Sequence, residues 1–115
     1  MNSKSSPQDV LRECIELMNK KGSDYQSESS TVRQADYYLS RIKTIYEIMH
    51  AKMLRLRSVM SKIESGNTTN YESLEDSCKD LINYSAFFVS YCNGGIDGQK
   101  ESNDIFNVPL RKSLV

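Results

Sequence analysis

Six acidic side chains stand at spacings that suit a divalent cation. Glu13 and Glu16 form an ExxE pair, and Glu72, Glu75, Asp76 and Asp80 crowd a later stretch, "ESLEDSCKDLINY". Carboxylates one turn apart on a helix share a face, and two such helices set face to face can hold Mg²⁺ through oxygen ligands. A metal held there would bridge phosphate oxygens and activate water, the chemistry of an Mg²⁺-dependent nucleotide pyrophosphohydrolase. The same residues also have a plainer use. Ser73 with Asp76 is a capping-box pattern that places Glu75 and Asp76 in a first helical turn and Glu72 outside it, and Glu16 with Lys20 is an ordinary i, i+4 pair. Asp80 falls at helical spacing with Asn83, Tyr84 and Phe87. A charge beside that aromatic surface needs a partner, and Lys52 and Arg55 are the nearest in type; an ion pair between two helices is the first expectation.

A second constellation is basic. "HAKMLRLR" carries His50, Lys52, Arg55 and Arg57, with Arg41 and Lys43 shortly before. Lys and Arg are the usual phosphate partners. Tyr25, Tyr37, Tyr38 and Tyr84 offer rings on which a base could stack while the cations hold phosphate. The alternative use is structural, with the cations as the solvated flank of a long helix and the tyrosines at the core edge. The chain shows no glycine-rich phosphate loop, HExxH motif, zinc spacing or nucleophilic triad.

The elements that must position these residues are helical. Ser6-Pro7-Gln8-Asp9 reads as a helix start, with Val10, Leu11, Cys14, Leu17 and Met18 at helical spacing, so a first helix is expected over residues 7 to 20, stopping at Gly22. Thr31 and Gln34 form a capping-box pattern that opens a second helix. Its apolar positions, Leu39, Ile42, Tyr46, Met49, Met53, Leu56, Met60 and Ile63, alternate steps of three and four as in a coiled-coil seam, flanked by Tyr38, Ile45 and Val59. With no Pro or Gly over residues 31 to 65, that helix would be about 50 Å long. "GNTTN" permits an antiparallel return, and a third helix follows over residues 71 to 92, apolar nearly all round in its second half and so buried on more than one side. After Asn93 the composition shifts to "GGIDGQKESND", read as a flexible linker leading to the apolar island "IFNVPL".

Size and charge narrow the classes. The 115 residues fit one domain. Lys plus Arg and Asp plus Glu each number 15, so no global field draws the protein to nucleic acid or acidic lipid. No apolar run is long enough to span a bilayer and the start lacks a signal-peptide pattern, which leads to the expectation of a cytoplasmic protein. Cys14, Cys78 and Cys92 lie among apolar neighbours without CxxC spacing and are expected as reduced core thiols.

Three segments together resemble a known family. "KKGSDYQ", "IMHAKMLRLRSV" and "ESLEDSCKDLINYSAF" are similar to the nucleotide-modification-associated domain 1 proteins, small helical proteins of phages and bacteria, over roughly residues 10 to 93. The motifs fall on Lys21, Asp24 and Tyr25; on Lys52, Arg55 and Leu56; and on Glu72, Ser73, Asp76, Asp80, Leu81 and Tyr84. The resemblance implies an association with nucleotide or DNA-base modification. The chain also resembles the MazG-type all-helical pyrophosphohydrolases through Glu13 and Glu16, but it departs from their ExxD helix, because Glu72 to Asp76 is a spacing of four.

The expectation is therefore all-α: an antiparallel bundle of three main helices with one long central helix, oligomerising along it, with a helical domain over 1–93 and a tail over 94–115. The preferred function is a phage-type protein that binds a nucleotide or sequesters a nucleotide signal without catalysis, through Asp24, Tyr25, Lys52, Arg55, Asp80 and Tyr84. An Mg²⁺-dependent pyrophosphohydrolase using Glu13, Glu16, Glu72, Glu75, Asp76 and Asp80 stays open beside it, as does a helical module that binds another protein.

Overall fold

The structure, a computed structural model, describes residues 5–25, 30–66 and 71–99, except for the side chains of residues 24 and 25. Three α-helices make up most of it: α1 (Pro7–Tyr25), α2 (Ile42–Glu64) and α3 (Tyr71–Cys92), with a short 3-10 helix, Gln34–Tyr37, before α2. Ile45 of α2 meets Tyr91 of α3, and further along α2 Lys52 meets Asp80, so the two helices run antiparallel. α2 and α3 share the largest interface, and α1 packs mainly on α3. The all-helical bundle expected from the periodicity is the fold.

α1 starts as its sequence dictates. Ser6 Oγ accepts from the Asp9 N–H at 3.1 Å and Asp9 Oδ2 accepts from the Ser6 N–H at 3.2 Å, a reciprocal cap with Pro7 in the first position. The helix does not stop at Gly22 but continues to Tyr25. A mid-helix glycine costs about 1 kcal/mol; the neighbouring Lys21 ties this end of α1 to Asp80 of α3 at 3.2 Å.

The long central helix is shorter than its pattern suggests. It begins at Ile42 rather than near residue 31, giving 23 residues and about 35 Å at the usual helical rise. The chain before it breaks because other partners take its backbone groups. The Ala35 N–H donates to the Asp97 carbonyl at 2.9 Å, the Arg33 N–H to Asp36 Oδ2 at 2.8 Å and the Ser40 N–H to Thr44 Oγ1 at 2.7 Å. Arg41, at φ 57° and ψ −130°, turns the corner in a region that glycine favours.

The core lies at the end of the bundle where this corner sits. Tyr38, Ile45, Tyr91 and Ile96 are buried together, Tyr38 edge-on to Tyr91 with ring centroids 6.4 Å apart. The flank named by the sequence (Tyr38, Ile45, Val59) is thus the buried line. Half of the seam itself (Leu39, Tyr46, Met53, Met60) is exposed.

α3 spans the expected residues. Because it begins at Tyr71, Glu72 lies in its first turn and Ser73 is inside it, so the cap expected at Ser73 does not form there. Its end is a Schellman motif: Gly94, at φ 76°, donates to the Tyr91 carbonyl and Gly95 to that of Ser90. The chain then folds back instead of leaving the domain. Ile96 enters the core, Gln99 Nε2 donates to the Tyr91 carbonyl at 2.8 Å, and a Cβ at Gly98 would collide with the Arg33 side chain. Residues 94–99 of the stretch read as a tail are therefore part of the fold, and the apolar island at 105–110 lies outside the described residues. Of the three free cysteines only Cys14 is a core thiol; Cys92 is half-buried and Cys78 is exposed, contrary to expectation.

Candidate functional site

A cavity of about 580 Å³ opens between the end of α1, the 3-10 helix and the middle of α3. That volume is in the range of small-molecule sites. Its wall on α3 is the i, i+3, i+4, i+7 set Asp80, Asn83, Tyr84 and Phe87, the side singled out by helical spacing. Tyr84 and Phe87 pack edge to face at 5.3 Å, giving a rigid aromatic surface. The opposite side is lined by Tyr37, Tyr38 and Gln34 of the 3-10 segment, with Gln34 Nε2 donating to Tyr38 Oη at 2.9 Å. Met18 and Lys21 complete the α1 side.

Asp80 organises the polar part. Its Oδ1 accepts from Lys21 Nζ at 3.2 Å and its Oδ2 from Lys52 Nζ at 3.1 Å, tying all three helices to one carboxylate. The expected Lys52 partner is present and Lys21 is an additional one. Two ammonium groups against one carboxylate leave one net positive charge. Lys52 is mostly covered and Lys21 half exposed, so Lys21 is the cation more readily presented to an incoming anion.

Asn83 is 6 % exposed. Its Nδ2 donates to the Cys14 carbonyl at 3.0 Å, a bond that fixes the amide orientation, since a flipped amide would set oxygen against oxygen. Its Oδ1 has no hydrogen-bond partner among the described residues. A buried acceptor left unmatched costs about 1–3 kcal/mol, so this atom of a cavity-lining residue is suited to an N–H donor on a ligand.

The two acidic groups do approach one another where α1 meets α3, but around a lysine. Lys79 Nζ lies 2.8 Å from Glu13 Oε1 and 2.9 Å from Glu75 Oε2. Its hydrogen bonds to Glu13 and then to Glu75 raise its pKa well above the usual lysine range. An ammonium therefore stands between carboxylates that the metal reading assigned to Mg²⁺. Glu16, Glu72 and Asp76 are exposed, and among the described residues no three acidic, His or Cys side chains converge as a metal site. Cys14, below this pair, is a buried thiol whose pKa burial pushes up, making it a poor nucleophile.

Of the residues expected to meet a nucleotide, Asp80 and Tyr84 line the cavity and Lys52 joins them through Asp80. Arg55 is exposed one turn further along α2 and is not in the lining. Asp24 and Tyr25 close α1 just beyond Lys21 and Gly22, with their side chains outside the description. Sequence reasoning left Lys21, Gln34 and Asn83 out of the binding set. Asn83 was already on the right face, and its polarity beside aromatic residues was the available signal; nothing local marks Gln34, which reaches the cavity only through the corner at Arg41.

The described helices include none long and apolar enough to cross a membrane. No protein-family model, curated protein or solved structure matches the chain.

Proposed function

We propose that the protein binds a nucleotide or nucleotide-derived ligand in the cavity between α1, the 3-10 helix and α3, and holds it without chemical change. The observation that carries this reading is the pairing, in one cavity, of an aromatic wall with a buried acceptor and Lys21, whose carboxylate partner Asp80 also holds Lys52 so that the group keeps a net positive charge. A base stacks against Tyr84, Phe87 or Tyr37, a ring N–H or exocyclic amine donates to Asn83 Oδ1, and phosphate reaches Lys21 with Lys52 behind it. Asp80 keeps the two lysines apart and aimed. Binding rather than hydrolysis is favoured by Lys79, whose ammonium already engages Glu13 and Glu75. In the setting implied by the family resemblance, such a protein sequesters a nucleotide signal or serves base modification as a carrier.

Calorimetric titration with free nucleosides, nucleoside monophosphates, nucleoside triphosphates and cyclic dinucleotides, with and without Mg²⁺, tests this reading. Binding of a phosphorylated member is expected, with the ligand recovered intact by mass spectrometry. Lys21→Ala should weaken the phosphorylated ligand about tenfold, the loss of one charge-assisted hydrogen bond, and leave the nucleoside unaffected. Tyr84→Ala should weaken both. The proposal fails if no ligand binds, if both variants bind as the parent does, or if Mg²⁺ causes pyrophosphate release.

A further inference from the structure

Half of the α2 seam faces solvent. Leu39, Tyr46, Met53 and Met60 recur at steps of seven, and the three within the helix are 61 %, 55 % and 49 % exposed in that order. Tyr46, Met53 and Met60 form a straight stripe beside the covered line of Ile45, Lys52 and Val59, about 100° round the helix. Ile48, which lines the cavity, is about 140° from Met53 by the same rotation, so a partner on the stripe leaves the cavity open. Only six apolar residues are buried among the described residues, a small core for a chain of this size.

We infer that this stripe is the contact surface for a second copy of the chain, with the two α2 helices antiparallel and the two-fold axis at Met53. The sequence of the stripe is self-complementary in that orientation. Facing residues in a symmetric antiparallel pair have a constant sum of residue numbers, and with Met53 against itself Tyr46 meets Met60 of the partner subunit twice over. A thioether at the edge of an aromatic ring is a favourable contact. The bordering charges fit the same register within one residue: Lys43 near one end of the helix falls opposite Glu64 of the partner subunit, and Glu64 opposite the partner's Lys43. Between them Arg57 falls beside the partner's His50, a ring on which a guanidinium can stack. In a parallel two-fold pair these flanking residues of the two copies would lie on opposite sides of the seam and would not meet. The charge pairing therefore selects the antiparallel arrangement, in which the two-fold axis repeats each contact.

Sedimentation equilibrium of the full chain over a range of concentrations measures the assembly, with twice the 13.2 kDa chain mass expected. Met53→Glu places two carboxylates on the axis and should yield monomer at every concentration, with helical content by circular dichroism unchanged because Met53 is outside the core. Lys43→Glu should raise the dimer dissociation constant about tenfold through two like-charge contacts, and Lys43→Glu with Glu64→Lys should return it to the parent value. A monomeric parent overturns the inference, as does a dimer that survives Met53→Glu. A double variant as weak as the single one overturns the antiparallel register.

Discussion

The two sides of α3 are closed by different chemistry. Against α2 and Tyr38 before it, α3 presents Tyr91, Phe88 and Phe87 to Ile45, Met49 and Tyr38, a mainly apolar junction with one fully buried isoleucine at its centre and the Lys52–Asp80 pair at its edge. Against α1 it presents Asn83, Lys79 and Asp80, and the junction consists largely of directed polar contacts to the Cys14 carbonyl, Glu13 and Lys21. Apolar burial is insensitive to orientation and sets stability; hydrogen bonds and ion pairs each yield little net stability but fix position. The α2–α3 hairpin is thus the stable frame, and α1 is a lid placed accurately on it. The cavity lies on the α1 side, where small rearrangements are least costly.

Substitutions should separate the two junctions. Ile45→Ala is expected to have the largest effect, lowering stability by about 3 kcal/mol through lost burial and the cavity left behind; a denaturant titration should show the whole molecule losing stability in one transition. Asn83→Ala should cost about 1–2 kcal/mol, with Cys14 losing its donor. Its diagnostic readout is hydrogen exchange, which should accelerate in α1 while the centres of α2 and α3 keep their protection. Equal acceleration in all three helices would erase the distinction between frame and lid.

Lys79→Met should cost about 1 kcal/mol, since Glu13 and Glu75 are partly solvated and can rehydrate. The sign of its pH dependence follows from the raised lysine pKa. The stabilisation is fully present below the unfolded-state value of about 10.5 and is lost only as pH rises through the higher folded value. Thermal melts of parent and variant should therefore differ by a constant amount from pH 7 to about 10 and converge only in stronger alkali, within the range the fold survives. The smallest effect expected is a gain: Arg41→Gly relieves a positive φ outside both junctions and should raise stability by about 1 kcal/mol.

The helices and their order were legible because their signals are local. Proline and serine open α1, and Gly66 and Gly94, both at positive φ, close α2 and α3. The break before α2 was not legible. Nothing in residues 31–41 forbids a helix; the backbone there is claimed by Asp97, more than fifty residues away, and by the packing of Tyr38 on Tyr91. The same long-range pairing hid the role of residues 94–99, whose glycines and polar composition resemble a linker while Ile96 is a core residue. At the site, helical spacing correctly grouped Asp80, Asn83, Tyr84 and Phe87. The acids on α1 and α3 were correctly brought near one another, but their spacing could not show that Lys79 would lie between them.

The fold-back after α3 has a mechanical consequence. Through the Ala35 N–H to Asp97 carbonyl bond and the Arg33–Asp97 ion pair at 3.7 Å, the segment ending at Gln99 is fastened to the 3-10 helix that carries Gln34 and Tyr37 and is followed by Tyr38. Tension applied to the chain beyond residue 99 is therefore borne by the Gln99 bond to the Tyr91 carbonyl of α3 and, next along the chain, by the Asp97 contacts on the cavity rim. A load too small to separate α2 from α3 would still pull Asp97 from Ala35 and loosen the tyrosine wall.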